Sequence, residues 1–189
     1  MKQFRVYLKS ELGRLSNQGI ASEFLNCVPP QVLSACGMKA QVTDLMKSLS
    51  SQEQVNRFVD SLSDEQLEAL TRSCDEDWRE NGVFEKLLGH SVWKEDRVPV
   101  DRVDLKLAEG HLDHIFKRCE FQLMRIAADP ELWIQKEYVQ SKLNTPIYFP
   151  TCLGGFKSGR CKLFDGIHRA IKMAKRGENA IPVCFYEAQ

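Results

Sequence analysis

The sequence predicts an α+β chain, with a helical N-terminal part over residues 1–96 packed on an α/β part over residues 97–189. Three observations carry that expectation. Capping patterns and helical apolar spacing dominate the first half. An alternating apolar run, Val98, Val100, Val103, Leu105 and Leu107, opens the second as a strand over 98–107. The chain from Arg160 to Tyr186 then reads as strand, turn, helix, glycine stop and strand.

In the helical part Phe4, Val6 and Leu8 alternate and could begin as a strand, while Leu8, Leu12 and Leu15 fit a helix. Pro29-Pro30 break the chain. Ser50-Ser-Gln-Glu53 and Ser63-Asp-Glu-Gln66 are capping boxes, in which a hydroxyl and a carboxylate or amide satisfy orphan N–H groups. Each precedes an amphipathic stretch: Val55, Phe58, Val59 and Leu62 in one, Leu67, Leu70 and Cys74 in the other. Asp75-Glu-Asp77 and Glu80 read as a solvated acidic face, because consecutive acids on a helix point in different directions and do not converge on a metal.

Trp93-Lys-Glu-Asp-Arg97 is the expected hinge. After the strand comes the polar cluster Ala108-Glu-Gly-His-Leu-Asp-His114, where ligand sites of α/β folds tend to lie. A helix is expected from about Leu112 to Ala128, with Ile115, Phe116, Cys119, Leu123 and Ile126 inward and Asp129-Pro130 ending it. A helical stretch through Trp133 and Tyr138 leads to Thr145–Pro150, read as a proline-broken strand. Gly154-Gly155 through Gly159 reads as a hairpin-like loop into the central strand.

The chemistry concentrates at Asp165-Gly-Ile-His-Arg169, where strand turns into helix. Free N–H groups and the positive end of the helix dipole collect there, so the turn suits an anion. Gly166 would let a phosphate approach the backbone, and Arg169 could grip it with a planar fork. Asp165 is expected to cap the helix, and beyond that to orient His168 or touch Mg²⁺; His168 could donate to phosphate oxygens. An ion pair of Arg169 with Asp165 or Glu109 is the plainer alternative.

Phe164-Asp-Gly-Ile-His-Arg169, the following helix, a glycine and Ile181-Pro-Val183 resemble the signature of the ParB/sulfiredoxin superfamily, and Val98–Leu105 resembles its first strand. The likeness covers the last half of the chain. Size and the helical leader also resemble the plasmid-encoded oncogenic-suppression and fertility-inhibition (Osa-like) proteins. The resemblance implies a ParB/sulfiredoxin-like domain whose turn, Asp165, Gly166, Ile167, His168 and Arg169, binds nucleotide. It implies ATP with Mg²⁺ as cofactors, ATPase and DNA-cleaving activity, and inhibition of DNA transfer through a conjugation-type secretion system. The catalytic set would be Glu109, Asp165, His168 and Arg169, with Asp165 at the metal. Glu109 corresponds to the acid after the first strand of related ADP-dependent kinases and could serve as general base, with Asp113 its competitor. Two departures narrow the activity. Ile167 stands where sulfiredoxins carry their cysteine, against sulfinic-acid reduction, and His168 stands where partition proteins carry arginine, without a recognition helix.

Lys plus Arg and Asp plus Glu are 26 each, so no global charge marks a polyanion binder. Locally Lys157, Arg160, Lys162, Arg169, Lys172, Lys175 and Arg176 face the single acid Asp165, and Lys157, Arg160, Lys162, Lys172 and Arg176 are the expected DNA contacts. Seven scattered cysteines form no Cys-x-x-Cys, against a zinc or thioredoxin-like site. Without a secretion signal or an apolar run of membrane length, a soluble cytoplasmic protein is expected. Two other functions fit the same residues: a non-catalytic, nucleotide-responsive protein that binds a DNA-transfer component, and an ADP-dependent small-molecule kinase.

Overall fold

The computed structural model describes residues 2–15, 30–35, 37–41, 52–73, 86–87, 89–90, 92–106, 120–129, 137–144, 146–147 and 149–188. The chain is α+β and divides into two compact units, Met1–Ser91 and Val92–Gln189. Ser50, the acidic run at 75–80, Glu109, His111, Asp113, His114 and Trp133 lie outside the described residues.

The first unit contains helices α1 (Lys2–Leu15), α2 (Pro30–Ala35), α3 (Gln52–Ser61) and α4 (Asp64–Ser73). The early alternation of Phe4, Val6 and Leu8 does not make a strand. All three are buried on α1 with Tyr7, facing Val55, Phe58 and Val59 of α3. Arg5 fixes the corner between α3 and α4. Its Nη1 donates to the Val59 carbonyl at 2.8 Å, beside the Leu62 N–H that the same oxygen accepts, and its Nη2 pairs with Asp64 at 3.1 Å. The Ser63 capping box forms as its sequence requires: Gln66 N–H donates to Ser63 Oγ, and Ser63 N–H donates to Gln66 Oε1 at 2.9 Å.

The second unit is a mixed sheet of β1 (Lys94–Pro99), β2 (Val103–Lys106), β3 (Glu120–Gln122), β4 (Cys152–Lys157), β5 (Arg160–Asp165) and β6 (Ala180–Glu187). Their order is β1-β6-β4-β5-β2-β3. Among the described residues it also holds helices α5 (Leu123–Ala128), α6 (Glu137–Asn144) and α7 (Ile167–Lys175). The expected strand 98–107 is two strands joined by a 3₁₀ turn, Val100–Arg102. That short connection has a topological consequence. In a flat sheet β1 and β2, with three strands between them, would stand about 19 Å apart, whereas the four Cα steps from Pro99 to Val103 reach at most about 14 Å. The sheet therefore curls, and the turn is tied to it where Val100 N–H donates to Asn179 O at 3.0 Å. The expected hinge is also part of the sheet, since Lys94–Arg97 pair antiparallel with Phe185–Pro182.

Three further expectations change. Glu120–Gln122 is not helical: it pairs with Lys106–Asp104, supplying the partners that edge of β2 needs, and the helix starts only at Leu123. Leu123 and Ile126 are fully buried as expected, and the helix ends at Ala128. Pro146, Ile147, Phe149 and Pro150 form no strand, since proline cannot donate to a ladder, and β4 starts at Cys152. Gly154 and Gly155 lie inside β4 rather than in a loop. A Cβ on Gly154 would meet Lys162 O at 2.8 Å, and one on Gly155 would meet the Tyr186 ring at 2.7 Å. The hairpin turn is Ser158-Gly159, with φ of 52° and 78°, the pair of positive angles a type I′ turn demands.

The core lies between one sheet face and the packed helices α5 and α7. Val103, Leu105, Cys161, Leu163, Ile181 and Val183 from the strands meet Leu123, Ile126, Ala170, Ile171 and Met173 from the helices. Strand alternation sends Asp104, Arg160, Lys162, Phe164 and Tyr186 to the opposite face. No helix among the described residues is long and apolar enough to cross a membrane.

Candidate phosphate-binding turn

The strand-to-helix turn forms where the sequence places it. β5 ends at Asp165, paired with Leu153 of β4, and Gly166 occupies the N-cap in the left-handed region at φ 83°, ψ 16°. Asp165 does not cap α7. As the last strand residue it turns its carboxylate to Arg169 one helical turn ahead, and Gly166 has no side chain to cap with. The first rung of α7 is Ala170 N–H to Gly166 O at 2.9 Å. The N–H groups of Ile167, His168 and Arg169 precede any helical carbonyl partner, and no N-cap side chain takes one. At the other end Gly177, φ 85°, closes a Schellman motif: its N–H donates to Ala174 O and that of Glu178 to Met173 O.

Arg169 faces inward. Its Nη2 donates to Asp165 Oδ2 at 3.1 Å and to Thr151 O at 3.2 Å, with side-chain exposures of 18% for Arg169 and 16% for Asp165. Burial works against its charge, but Asp165 and the Cys152 thiol outweigh burial and raise its pKa, so the guanidinium stays a cation. The plainer alternative for Arg169, an ion pair with Asp165, is thus present, and it ties the helix start to the entry of β4. Gly166 is required for a related reason. A Cβ there would lie 2.6 Å from Arg169 Nη2 and 2.7 Å from Cys152 Sγ, so the space beside it is filled by the protein itself. The Cys152 thiol donates to Gly166 O at 3.4 Å, and burial pushes its pKa up to about 11. Burial likewise raises Cys161 to about 12. Both are poor nucleophiles at neutral pH.

Ile167 and His168 are half-buried in the first turn of α7, and Lys172 stands one turn after His168 on the same side. Lys172 has its pKa lowered by burial and by Arg176 a further turn on. The expected DNA contacts fall on two surfaces. Lys172 lies on α7 and Arg176 at its C-cap, whereas Lys157, Arg160 and Lys162 stand on the sheet face away from it. Arg160 forms a bidentate pair with the buried Asp104: Nε donates to Oδ2 at 2.6 Å and Nη2 to Oδ1. With its amide turned, Gln122 also accepts from Arg160 Nη2 at 2.9 Å. Glu109 lies outside the described residues. Among the described residues no group of three or more His, Cys, Asp or Glu side chains could hold a metal.

Sequence reasoning missed Thr151, Cys152 and Asp104, whose roles depend on strand pairing. It also missed three rings on the outer sheet face, Trp93, Phe164 and Tyr186. The alternation Arg160, Lys162, Phe164 in the sequence is the signal that could have found that face. No protein-family model matches the chain, and no curated protein or solved structure is significantly similar to it.

Proposed function

We propose that the chain handles phosphate-bearing ligands at the start of α7, binding a nucleotide there and hydrolysing it with Mg²⁺, and acting on DNA at the same turn. The observation that carries this reading is the helix N-terminus at Gly166: N–H groups of residues 167–169 without a side-chain cap, held in place from behind by the Asp165–Arg169–Thr151 tie. In this reading those N–H groups and His168 hold phosphate oxygens, while Lys172 and Arg176 extend the positive field along α7. Arg169 acts by positioning, because its Nη2 is engaged by Asp165 and Thr151. The residues fit an anion better than a cation. Asp165, with one oxygen on Arg169, is the residue that would hold magnesium brought in on the nucleotide. Magnesium would supply neutralisation of phosphate charge. Glu109 keeps the role of water-activating base. The resemblance to the ParB/sulfiredoxin superfamily and to Osa-like proteins supports ATP as the nucleotide. It also supports a cytoplasmic role in blocking conjugation-type DNA transfer.

Equilibrium binding of labelled ATP, together with ATP and DNA turnover in Mg²⁺ and in EDTA, tests the reading on the full chain. The expected result is Mg²⁺-dependent turnover by the wild type, lost in Glu109→Gln and weakened in His168→Ala, with the melting temperature of His168→Ala held within the effect of about 1 kcal/mol. A wild-type chain that binds no nucleotide overturns it. One observation favours a second reading, a non-catalytic, nucleotide-responsive interaction protein: Arg169 is paired internally with Asp165. ATP binding with no turnover of ATP or DNA is the result that selects it.

A further inference from the structure

The sheet face away from α7 carries a chemistry of its own. Tyr186 of β6 lies over Gly155 of β4, whose missing side chain makes room for its ring. Trp93, the residue before β1, meets it edge-on at 5.1 Å. Phe164 of β5 joins both, at 6.3 Å from Trp93 and 6.4 Å from Tyr186, with its ring tilted 33° to that of Tyr186. All three rings are half-buried, so each keeps part of its surface open to solvent. Down β5 from Phe164 the same face shows exposed Lys162 and then Arg160, a step of roughly 6.8 Å each time. Lys157 stands opposite Arg160 across the hairpin. Arg160 is fixed flat by Asp104 and Gln122.

We propose that this face is a track for single-stranded nucleic acid, in which Phe164, Tyr186 and Trp93 stack bases while Lys162 and Lys157 hold the backbone and Arg160 cancels the charge of Asp104. Charge complementarity picks the ligand, because Lys162 and Lys157 lie along the strands that lead away from the rings and Asp104 at β2 is already paired with Arg160, while Glu95 stands at the β1 edge of the face. The rings pick the form of it. A duplex keeps its bases stacked inside, whereas a single strand can lay them on an aromatic surface whatever their sequence. The inference rests on the reading that the chain acts on DNA, and it names the single strand as the form recognised. It places that ligand on the sheet face away from α7, whose ring end adjoins the turn because Phe164 directly precedes Asp165.

The test is fluorescence anisotropy with the full chain and a labelled oligothymidylate of about 12 nucleotides, beside a duplex of equal length. Two variants bear on it. Phe164→Leu keeps an apolar side chain but removes the ring, and Lys162→Ala alters an exposed side chain. Phe164→Leu is expected to weaken single-strand binding roughly ten-fold or more. Lys162→Ala is expected to weaken it and to reduce the salt slope by about 0.7. Labelled ATP should bind both variants as it binds the wild type, which separates this surface from the turn at Gly166. The proposal is overturned if the single strand fails to bind, if the duplex binds more tightly, or if both variants bind like wild type. Loss of ATP binding by the wild type with oligonucleotide binding intact would sink the turn and leave this face standing.

Discussion

Gly166 and Gly177 share nearly the same backbone angle, φ 83° and 85°, but not the same surroundings. Alanine at either position must adopt the left-handed region, at roughly 1–2 kcal/mol, partly offset by the lower entropy of the unfolded chain, about 0.4–1 kcal/mol. At Gly177 that is all, since a Cβ there meets nothing within 4 Å. At Gly166 the methyl would lie 2.6 Å from Arg169 Nη2, 2.7 Å from Cys152 Sγ and 3.0 Å from Cys152 Cβ. Neither neighbour yields easily: Cys152 is fully buried in β4, and Arg169 is held by two acceptors. Overpacking of this kind adds about 1–3 kcal/mol. Gly177→Ala is therefore expected to cost about 1 kcal/mol, and Gly166→Ala about 2–4 kcal/mol. Urea titration followed by circular dichroism reads both, and in a melt each kcal/mol corresponds to a fall of roughly 2–4 °C for a chain of this size. Equal losses at the two glycines would refute the packing argument and leave only backbone strain.

Other outcomes follow from single contacts. Gly155→Ala should displace the Tyr186 ring and cost about 1–3 kcal/mol, visible as a loss of near-ultraviolet dichroism; an unchanged spectrum would mean that Tyr186 does not lie over β4. Ser63→Ala should cost about 1 kcal/mol, since Gln66 N–H loses its acceptor. Cys152 makes stability fall at alkaline pH. Its folded pKa is about 11, and the unfolded thiol ionises near about 8.5. Its contribution is complete below the unfolded value and is lost as pH rises through the folded one, because only the unfolded chain ionises in between. Stability measured from pH 8 to 11 should decline less steeply in Cys152→Ala than in wild type, and parallel slopes would remove Cys152 as the cause.

Much of the second unit was legible because its signals are local. Gly177 had to end a helix, Ile181–Tyr186 had to be a strand, and Asp165-Gly166 had to be the turn between strand and helix. Where the reading failed, the deciding partner was distant in sequence. Nothing near Glu120 announces that the edge of β2 needs a neighbour, so a helical apolar pattern continued through it on paper. Gly154 and Gly155 look like a loop until Cys161, Lys162 and Tyr186 are brought against them. The same holds for the candidate site. Its backbone was visible in five consecutive residues. The direction of Arg169, the roles of Thr151 and Cys152, and the pairing of Asp104 with Arg160 depend on which strands become neighbours. No periodicity in the sequence encodes that.

The inward direction of Arg169 decides which substitution can test the phosphate turn. Removing its guanidinium strands the Asp165 carboxylate, only 16% exposed, and unties Thr151 from α7. Breaking a fully buried pair costs about 3–5 kcal/mol. With the residual exposure here, about 2–3 kcal/mol is the reasonable expectation for Arg169→Ala. Any activity lost with it would be lost together with the shape of the turn, so that variant reports on structure and chemistry at once. His168 separates them. It stands half-buried in the first turn of α7, outside the Asp165–Arg169–Thr151 tie. His168→Ala should leave the melting temperature within the effect of about 1 kcal/mol while weakening ATP binding several-fold, and Arg169→Lys should retain part of the tie and part of the binding. If His168→Ala binds ATP as well as wild type and only Arg169→Ala fails, the turn is a structural joint between β4 and α7, and the phosphate reading falls with it.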